Sequence, residues 1–215
     1  MGELPEGLRQ HVLDWLADNV PESRINHVLR VEQMAVALAQ AHGLDQQKAA
    51  QAGLMHDLAK YFKPQTLLVM AEQEGLPIDP VDEANPHLLH AAVGAIVARD
   101  TFGVQDSEVL AAIANHTLGQ PGMSPLSCVV FLADSLEPGR GDVAELVMLR
   151  KLSQQDLQQT VWMTCDYTLR HLMNKHRLLH PRVIQTRNWF LHHSNKQVFK
   201  RQRQPSTHFP DQIPS

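Results

Sequence analysis

Apolar residues recur every three or four positions along most of the chain, which is the spacing of one face of an α-helix. In a segment that opens near Pro21 and closes at Gly43, for example, His27, Val31 and Leu38 fall on a single stripe. No segment shows the alternation of apolar and polar residues that is typical of a half-buried strand. The pattern therefore predicts an all-α fold, a bundle of helices.

Start and stop signals set the expected bounds of the individual helices. Asp45 and Asp106 are predicted to cap helices, and residues 76–86 are expected to form a loop. The predicted helices are Leu8 to Asn19, Pro21 to Gly43, one from Asp45 through Lys60, Pro64 to Gly75, His87 to Phe102, Asp106 to His116, Leu126 to Leu136, Gln155 to Leu179 and Pro181 to His193.

The domain organisation follows from the same pattern. Residues 1–194 contain no segment rich enough in glycine or serine to divide them, so we expect a single helical domain there. Residues 195–215 have few apolar side chains and a mildly basic run at 200–203, so they are predicted to be a disordered C-terminal tail.

Composition restricts the function classes. The chain has 215 residues, of which 43% are hydrophobic and 20% charged, as in an ordinary globular protein. A formal net charge of -4 argues against binding to nucleic acid or to an anionic membrane surface. No apolar run approaches the roughly 20 residues that span a bilayer. Cys128 and Cys165 fit no zinc spacing and no signal peptide is evident, so a reduced, cytoplasmic protein is expected.

The candidate chemistry begins with His56 and Asp57, which are adjacent inside the otherwise apolar segment from Ala52 to Lys60. A buried carboxylate beside a buried imidazole is costly unless a cation compensates, and a divalent metal is the usual compensation. Lys60 follows one turn later and would suit a phosphate bound to that metal. A single histidine–aspartate pair such as His56 and Asp57 is nevertheless more often an isolated hydrogen bond in a protein core.

Further histidines and a carboxylate favour the metal site over the isolated pair. His27, His90, His116 and Asp134 each fall on a different predicted helix, so that four imidazoles and two carboxylates are available. This donor set suits iron, manganese or zinc and does not suit a metal that prefers thiolates. The remaining histidines fall at helix ends, on polar faces or in the tail and are assigned no role: His11, His42, His87, His171, His176, His180, His192, His193 and His208.

The order of these residues resembles a known family. His27, His56-Asp57 and Asp134 match the H…HD…D pattern of the HD-domain metal-dependent phosphohydrolases. The chain is most similar to their YqeK-type branch, the bacterial symmetrical diadenosine tetraphosphate hydrolases, over roughly residues 24–191. The shared motifs are Arg24-x-x-His27, Ala52-Gly53-Leu54-Met55-His56-Asp57-x-Ala59-Lys60, Leu89-His90, Ala112-Ile113-x-x-His116-Thr117 and Ala133-Asp134-x-x-Glu137-Pro138-x-Arg140.

The resemblance implies an HD-domain helical bundle with iron as the cofactor and manganese or zinc as substitutes. By resemblance the metal ligands are His27, His56, Asp57 and Asp134, and the catalytic residues are Asp57 and Lys60. Two of the histidines that are expected to contact phosphate could instead hold a second metal and make the site binuclear. The expected phosphate contacts are Arg24, Lys60, His90, His116, Thr117 and Arg140.

The function implied by the resemblance is symmetrical hydrolysis of diadenosine tetraphosphate to two ADP by a metal-activated water that attacks a bridge phosphorus. The expected partners are a dinucleoside polyphosphate, ADP or GDP, because no motif distinguishes one base from another. Two alternatives stay open: another HD phosphohydrolase that acts on a nucleoside monophosphate or a signalling nucleotide, and a nucleotide-binding sensor without turnover. The sequence also leaves a homodimer open.

Overall fold

The computed structural model describes residues 6–202, with the side chains of residues 7–194. Within those residues all regular structure is helical, which confirms the predicted all-α fold. Two short 3₁₀ segments, Pro86–Leu89 and Pro138–Arg140, flank longer helices. The helices are α1 (Glu6–Asn19), α2 (Glu22–Ala41), α3 (Gln46–Met55), α4 (Pro64–Gln73), α5 (Pro80–Ala84), α6 (His90–Phe102), α7 (Ser107–Asn115), α8 (Pro125–Leu136), α9 (Ala144–Ser153), α10 (Leu157–Asn174) and α11 (Pro181–Gln202).

The predicted N-caps are confirmed where the sequence carries an aspartate before a helix. The Asp45 carboxylate accepts hydrogen bonds from the first-turn amides of α3, and Asp106 does the same for α7. These bonds satisfy amides that no residue within the helix can pair.

Several helix predictions need correction, among them the end of α10, which lies at Asn174 instead of Leu179. Helix α3 ends at Met55 instead of continuing through Lys60, and residues 56–61 form turns. Helix α5 lies inside the predicted loop 76–86, where Asp79 and Asp82 form a reciprocal capping box. Helix α9 was not predicted, because its N-cap residue provides no side-chain hydrogen bond and thus no start signal.

The C-terminal helix is also longer than predicted. Helix α11 continues to Gln202, whereas the sequence pattern ends it at His193. The remainder of the predicted disordered tail, residues 203–215, lies outside the described residues. No helix of the described part of the chain is long and apolar enough to cross a bilayer.

Close packing of α2 against α3 depends on Gly53. A Cβ atom at Gly53 would lie 3.0 Å from the Cα of Glu32 and 3.3 Å from the Cβ of Ala35. The absence of a side chain at Gly53 therefore permits the close approach of these two helices. Gly94 of α6 serves similarly, because a Cβ atom there would lie 3.3 Å from the carbonyl oxygen of His56. These contacts fix the end of α3 between α2 and α6.

Candidate metal centre

Five helices bring the predicted ligand residues together. Asp57 lies in the turn after α3, directly after His56. It is 2% exposed, so its charge is removed from solvent. The histidines are buried as well. His27 lies in α2, His56 caps the C-terminus of α3, His90 begins α6, His116 caps the C-terminus of α7, and Asp134 lies in the last turns of α8.

The Nδ1 atom of every histidine in the group is occupied. Each of the three histidines at helix ends, His56, His90 and His116, faces the carbonyl three residues earlier, at 2.7, 2.5 and 2.8 Å. The Nδ1 of His27 lies 3.0 Å from a carboxylate oxygen of Glu137. Because carbonyl and carboxylate oxygens only accept, each Nδ1 carries the hydrogen, and each ring in its neutral form presents its Nε2 lone pair to the centre.

These Nε2 atoms face other acceptors. The Nε2 atoms of His27 and His56 are buried and have no hydrogen-bond partner among the described residues. His27 Nε2 lies 3.1 Å from Asp134 Oδ1, and His56 Nε2 lies 3.4 Å from Asp57 Oδ2. Lone pairs that face carboxylates repel one another unless a cation stands between them. The site therefore has the donor set and the electrostatics that fit a divalent metal.

The potential ligands form two groups that share Asp57. The ligand atoms of His27, His56 and Asp57 all lie within 4.8 Å of one another, and so do those of Asp57, His90 and His116. Oδ2 of Asp57 faces the first group, while Oδ1 lies 3.4 Å from His90 Nε2 and 3.7 Å from His116 Nε2. One carboxylate can thus serve both groups.

The second group differs from the first because one of its imidazole nitrogens, His90 Nε2, already has donors. His90 Nε2 lies 3.2 Å from the Lys60 ammonium and 3.2 Å from the Thr117 hydroxyl, and both can donate to it. His90 and His116 also face each other, with 3.0 Å between their Nε2 atoms. The first group thus has two nitrogens without any hydrogen-bond partner, whereas the second, with donors at His90, fits either a metal or a phosphate.

The electrostatic environment favours ionised carboxylates and a neutral imidazole. Burial raises the pKa of Asp57, but the neighbouring rings of His56, His90 and His116 outweigh it and hold that pKa well below its usual value. Burial also raises the pKa of Asp134, but the contact with His27 and the nearby His56 and Arg140 outweigh it and hold that pKa below its usual value. Burial, with the nearby imidazoles, lowers the pKa of His116 to about 3, so that this ring is neutral and can act as a ligand.

Cationic side chains border the ligand group. An Arg24 Nη1 atom lies 3.0 Å from Asp57 Oδ2, and the Arg140 guanidinium pairs with Asp134. Arg140 also donates from Nε to the carbonyl of Asp134 at 2.8 Å, so the turn after α8 folds back toward that helix. Lys60 is partly buried, and this burial lowers its pKa. Three cations beside an acidic, imidazole-rich centre form a suitable site for a polyphosphate chain.

Comparison with known proteins identifies the family of this chain. Residues 24–139, which contain all of these histidines and Asp134, match the HD domain family. The chain belongs to the HD-domain family. A symmetrical bis(5'-nucleosyl)-tetraphosphatase of Bacillus subtilis is 34% identical over 183 residues, which cover 85% of this chain and 97% of that protein. A protein of the same name from Staphylococcus aureus is 30% identical over 80% of this chain and 89% of its own length.

A solved structure of another HD protein has the same fold. The crystal structure of a predicted HD superfamily hydrolase involved in NAD metabolism, from Clostridium acetobutylicum, superposes with a TM-score of 0.81 at 35% identity. The match covers 86% of this chain and 97% of that one.

Two residues that support the site in this HD domain, Glu137 and Arg30, were not assigned a role from the sequence. Glu137 is 1% exposed, faces His27 Nδ1 and accepts hydrogen bonds from Arg30 Nε and from the Gly139 amide, both at 2.5 Å. Burial opposes ionisation of Glu137, but Arg30 and His27 outweigh it and lower its pKa to about 2. Glu137 belongs to the shared motif after Asp134, and this was the one signal that could have identified it.

Proposed function

We propose that this chain is a metal-dependent hydrolase that splits diadenosine tetraphosphate symmetrically into two ADP molecules. The observation that carries the proposal is the convergence of two unpartnered imidazole nitrogens and two carboxylates beside three cations. The relatives named symmetrical bis(5'-nucleosyl)-tetraphosphatase support this choice, because they align along 80–85% of the chain.

The proposal assigns the metal to His27, His56, Asp57 and Asp134, with iron as the expected ion. A bound ion of this kind supplies Lewis-acid chemistry and makes water a better nucleophile near neutral pH. His90 and His116 are proposed as phosphate contacts or as ligands of a second ion. Both cysteines are unpaired thiols, which is in keeping with the proposed cytoplasmic location.

The chain's own residues position the substrate and the water. The Asp57 carboxylate accepts a hydrogen bond from the attacking water and so orients it toward a central phosphorus. Arg24, Lys60 and Arg140 balance the charge of the phosphate chain as it spreads over the phosphoryl oxygens. The water oxygen bonds to one central phosphorus, the bond from that phosphorus to the central bridging oxygen breaks, and the second ADP leaves with the bridging oxygen.

The direct test is ADP release by purified protein loaded with ferrous iron, with metal analysis of the same sample. The Asp57→Ala variant removes the carboxylate shared by both ligand groups, so it is expected to lose bound metal and activity together. Asp18→Ala, a change at an exposed position of α1, serves as the matched control and should retain both. Full activity in metal-free Asp57→Ala protein would contradict the proposal.

A substrate panel separates the proposal from its alternatives. It includes nucleoside monophosphates, a guanosine polyphosphate, a cyclic dinucleotide and a short RNA, each at the same concentration as diadenosine tetraphosphate. Faster turnover of any of these would favour another HD phosphohydrolase activity. Tight binding of a nucleotide without release of any product would favour the sensor.

A further inference from the structure

A large cavity lies between the segment around α5 and the C-terminal helices α10 and α11. Its volume is about 520 Å³, within the range of about 300–1,000 Å³ that is usual for small-molecule sites. Ala84, Asn85 and Leu88 line one side, and Leu172 and Leu178 belong to the opposite helices and their connection. Apart from Thr117, none of the residues that line this cavity is a candidate metal ligand or phosphate contact.

The cavity reaches the candidate metal centre at Thr117. The Thr117 hydroxyl lies 3.2 Å from His90 Nε2, and the same residue lines the cavity. A second cavity of about 420 Å³ contains Asp134 and Arg140 and also includes Thr117. The two cavities have Thr168 and Val183 in common as well, so they adjoin along these three residues, of which Thr117 contacts His90 of the candidate metal centre.

A symmetrical dinucleoside tetraphosphate carries a nucleoside at each end of its phosphate chain, so a site that holds the central bond needs two nucleoside subsites. We propose that the two adjoining cavities are these subsites. The larger cavity, between α5 and the α10–α11 connection, binds one nucleoside, and the cavity beside Asp134 binds the other. This inference rests on the proposed function and adds to it the residues that recognise the substrate's ends.

The lining of the larger cavity suits a nucleoside. Leu178 is 63% exposed and provides an apolar surface on which a base can pack. The Arg177 guanidinium and the Asn85 amide also line the cavity, and among the described residues neither side chain has a hydrogen-bond or ion-pair partner. They remain available to the polar edge of a base, to a ribose or to the first phosphate.

The His180 ring lines this cavity and is held in one orientation by hydrogen bonds at both of its nitrogens. Its Nε2 lies 3.2 Å from a carboxylate oxygen of the buried Asp82, and its Nδ1 accepts from the Arg182 amide at 3.0 Å. The pair joins α5 to the start of α11, although the sequence pattern gives His180 no role. Since both ring nitrogens are engaged, the imidazole can offer a nucleoside only its face and carbon edge.

The test blocks the larger cavity from its rim. Ala84 is exposed at the end of α5 and lines this cavity, so Ala84→Phe fills the cavity without disturbing the core. Ala17→Phe, the same change at an exposed position of α1 that lines neither cavity, is the control. Each protein is assayed with diadenosine tetraphosphate and with adenosine 5'-tetraphosphate, which has one nucleoside and can use the open cavity. The second compound is measured as a substrate or as a competitive inhibitor.

We expect Ala84→Phe to raise KM for diadenosine tetraphosphate by about tenfold, the loss of one modest nucleoside contact. The KM or inhibition constant of adenosine 5'-tetraphosphate should change less than about threefold, as should both constants in Ala17→Phe. Leu178→Ala removes the apolar surface instead of filling the space and should shift the two compounds in the same unequal way. This second variant decides the matter if Ala84→Phe does not fold.

An unchanged KM for diadenosine tetraphosphate in a folded variant, or an equal loss with both compounds, would overturn the nucleoside assignment. Failure of the unsubstituted protein to hydrolyse diadenosine tetraphosphate would instead overturn the proposed function. The two failures are therefore distinguishable in the same set of assays.

Discussion

At the scale of single residues, the site depends on which nitrogen of each imidazole carries the hydrogen. Glu137 fixes this for His27, and we expect Glu137→Gln to weaken metal binding by about 10–100-fold, as is usual when the partner of a ligand histidine is changed. The amide keeps the shape but can turn a donor toward Nδ1. Titration of the apoprotein with Mn²⁺ or Fe²⁺ measures the effect.

The matched control for Glu137 is Glu145→Gln, because Glu145 also pairs with an arginine, Arg170, but at an exposed position. It should leave metal affinity within about twofold of the unsubstituted protein. An equally small change in Glu137→Gln would show that Glu137 does not orient the His27 ring.

Lys60 is expected to act on the phosphate chain and not on the metal. Lys60→Ala should keep its metal but lose about 10–100-fold in kcat, since a hydrogen bond from a charged donor contributes about 1.5–3 kcal/mol. Metal content and steady-state kinetics are measured on the same preparation, beside Lys63→Ala, which changes an exposed lysine at the start of α4. Loss of metal from Lys60→Ala would show that its assigned role is wrong.

The residue types and their order were enough to predict which histidines and aspartates converge as candidate ligands, but not the side chains that support them. His27 and Glu137 are 110 positions apart in sequence, and Arg30 and Glu137 are 107 apart. Their contact depends on how the turn after α8 packs on α2, which no local pattern encodes. Gly139 belongs to the same contact, because a Cβ atom there would lie 2.5 Å from the Arg30 guanidinium.

At the scale of elements, hydrophobic period and caps predicted the helices that have clear signals and misplaced those that lack them. Leu58 and Ala59 are buried, so the apolar stripe continues after α3 although its hydrogen-bonded ladder ends at Met55. His56 even keeps helical dihedral angles, φ -59° and ψ -35°. A pattern of burial cannot distinguish such a turn from a helix. In α9 the apolar stripe is short, and no capping side chain marks its start.

The contact between α2 and α3 provides the test at this scale. Gly53→Ala places a methyl group 3.0 Å from the backbone of Glu32, so the two helices must shift. We expect the free energy of unfolding to fall by about 1–3 kcal/mol, the usual cost of overpacking. Gly7→Ala, in α1, meets nothing within 4 Å and should leave stability unchanged or raise it by up to about 1 kcal/mol. Denaturant unfolding of both variants measures the difference, and equal effects would contradict the packing argument.

At the scale of the whole molecule, the candidate ligands join helices that lie far apart in sequence. A bound metal should therefore stabilise the fold in addition to its role in the reaction. An ion present at about 100 times its Kd adds about 2.7 kcal/mol to the free energy of unfolding. For a chain of this size each kcal/mol corresponds to about 2–4 °C, so a chelator should lower Tm by about 5–10 °C. Readdition of Mn²⁺ or Fe²⁺ should restore it, whereas Asp57→Ala should melt at one temperature in both conditions. A Tm that does not depend on metal in the unsubstituted protein would mean that these buried lone pairs do not hold an ion.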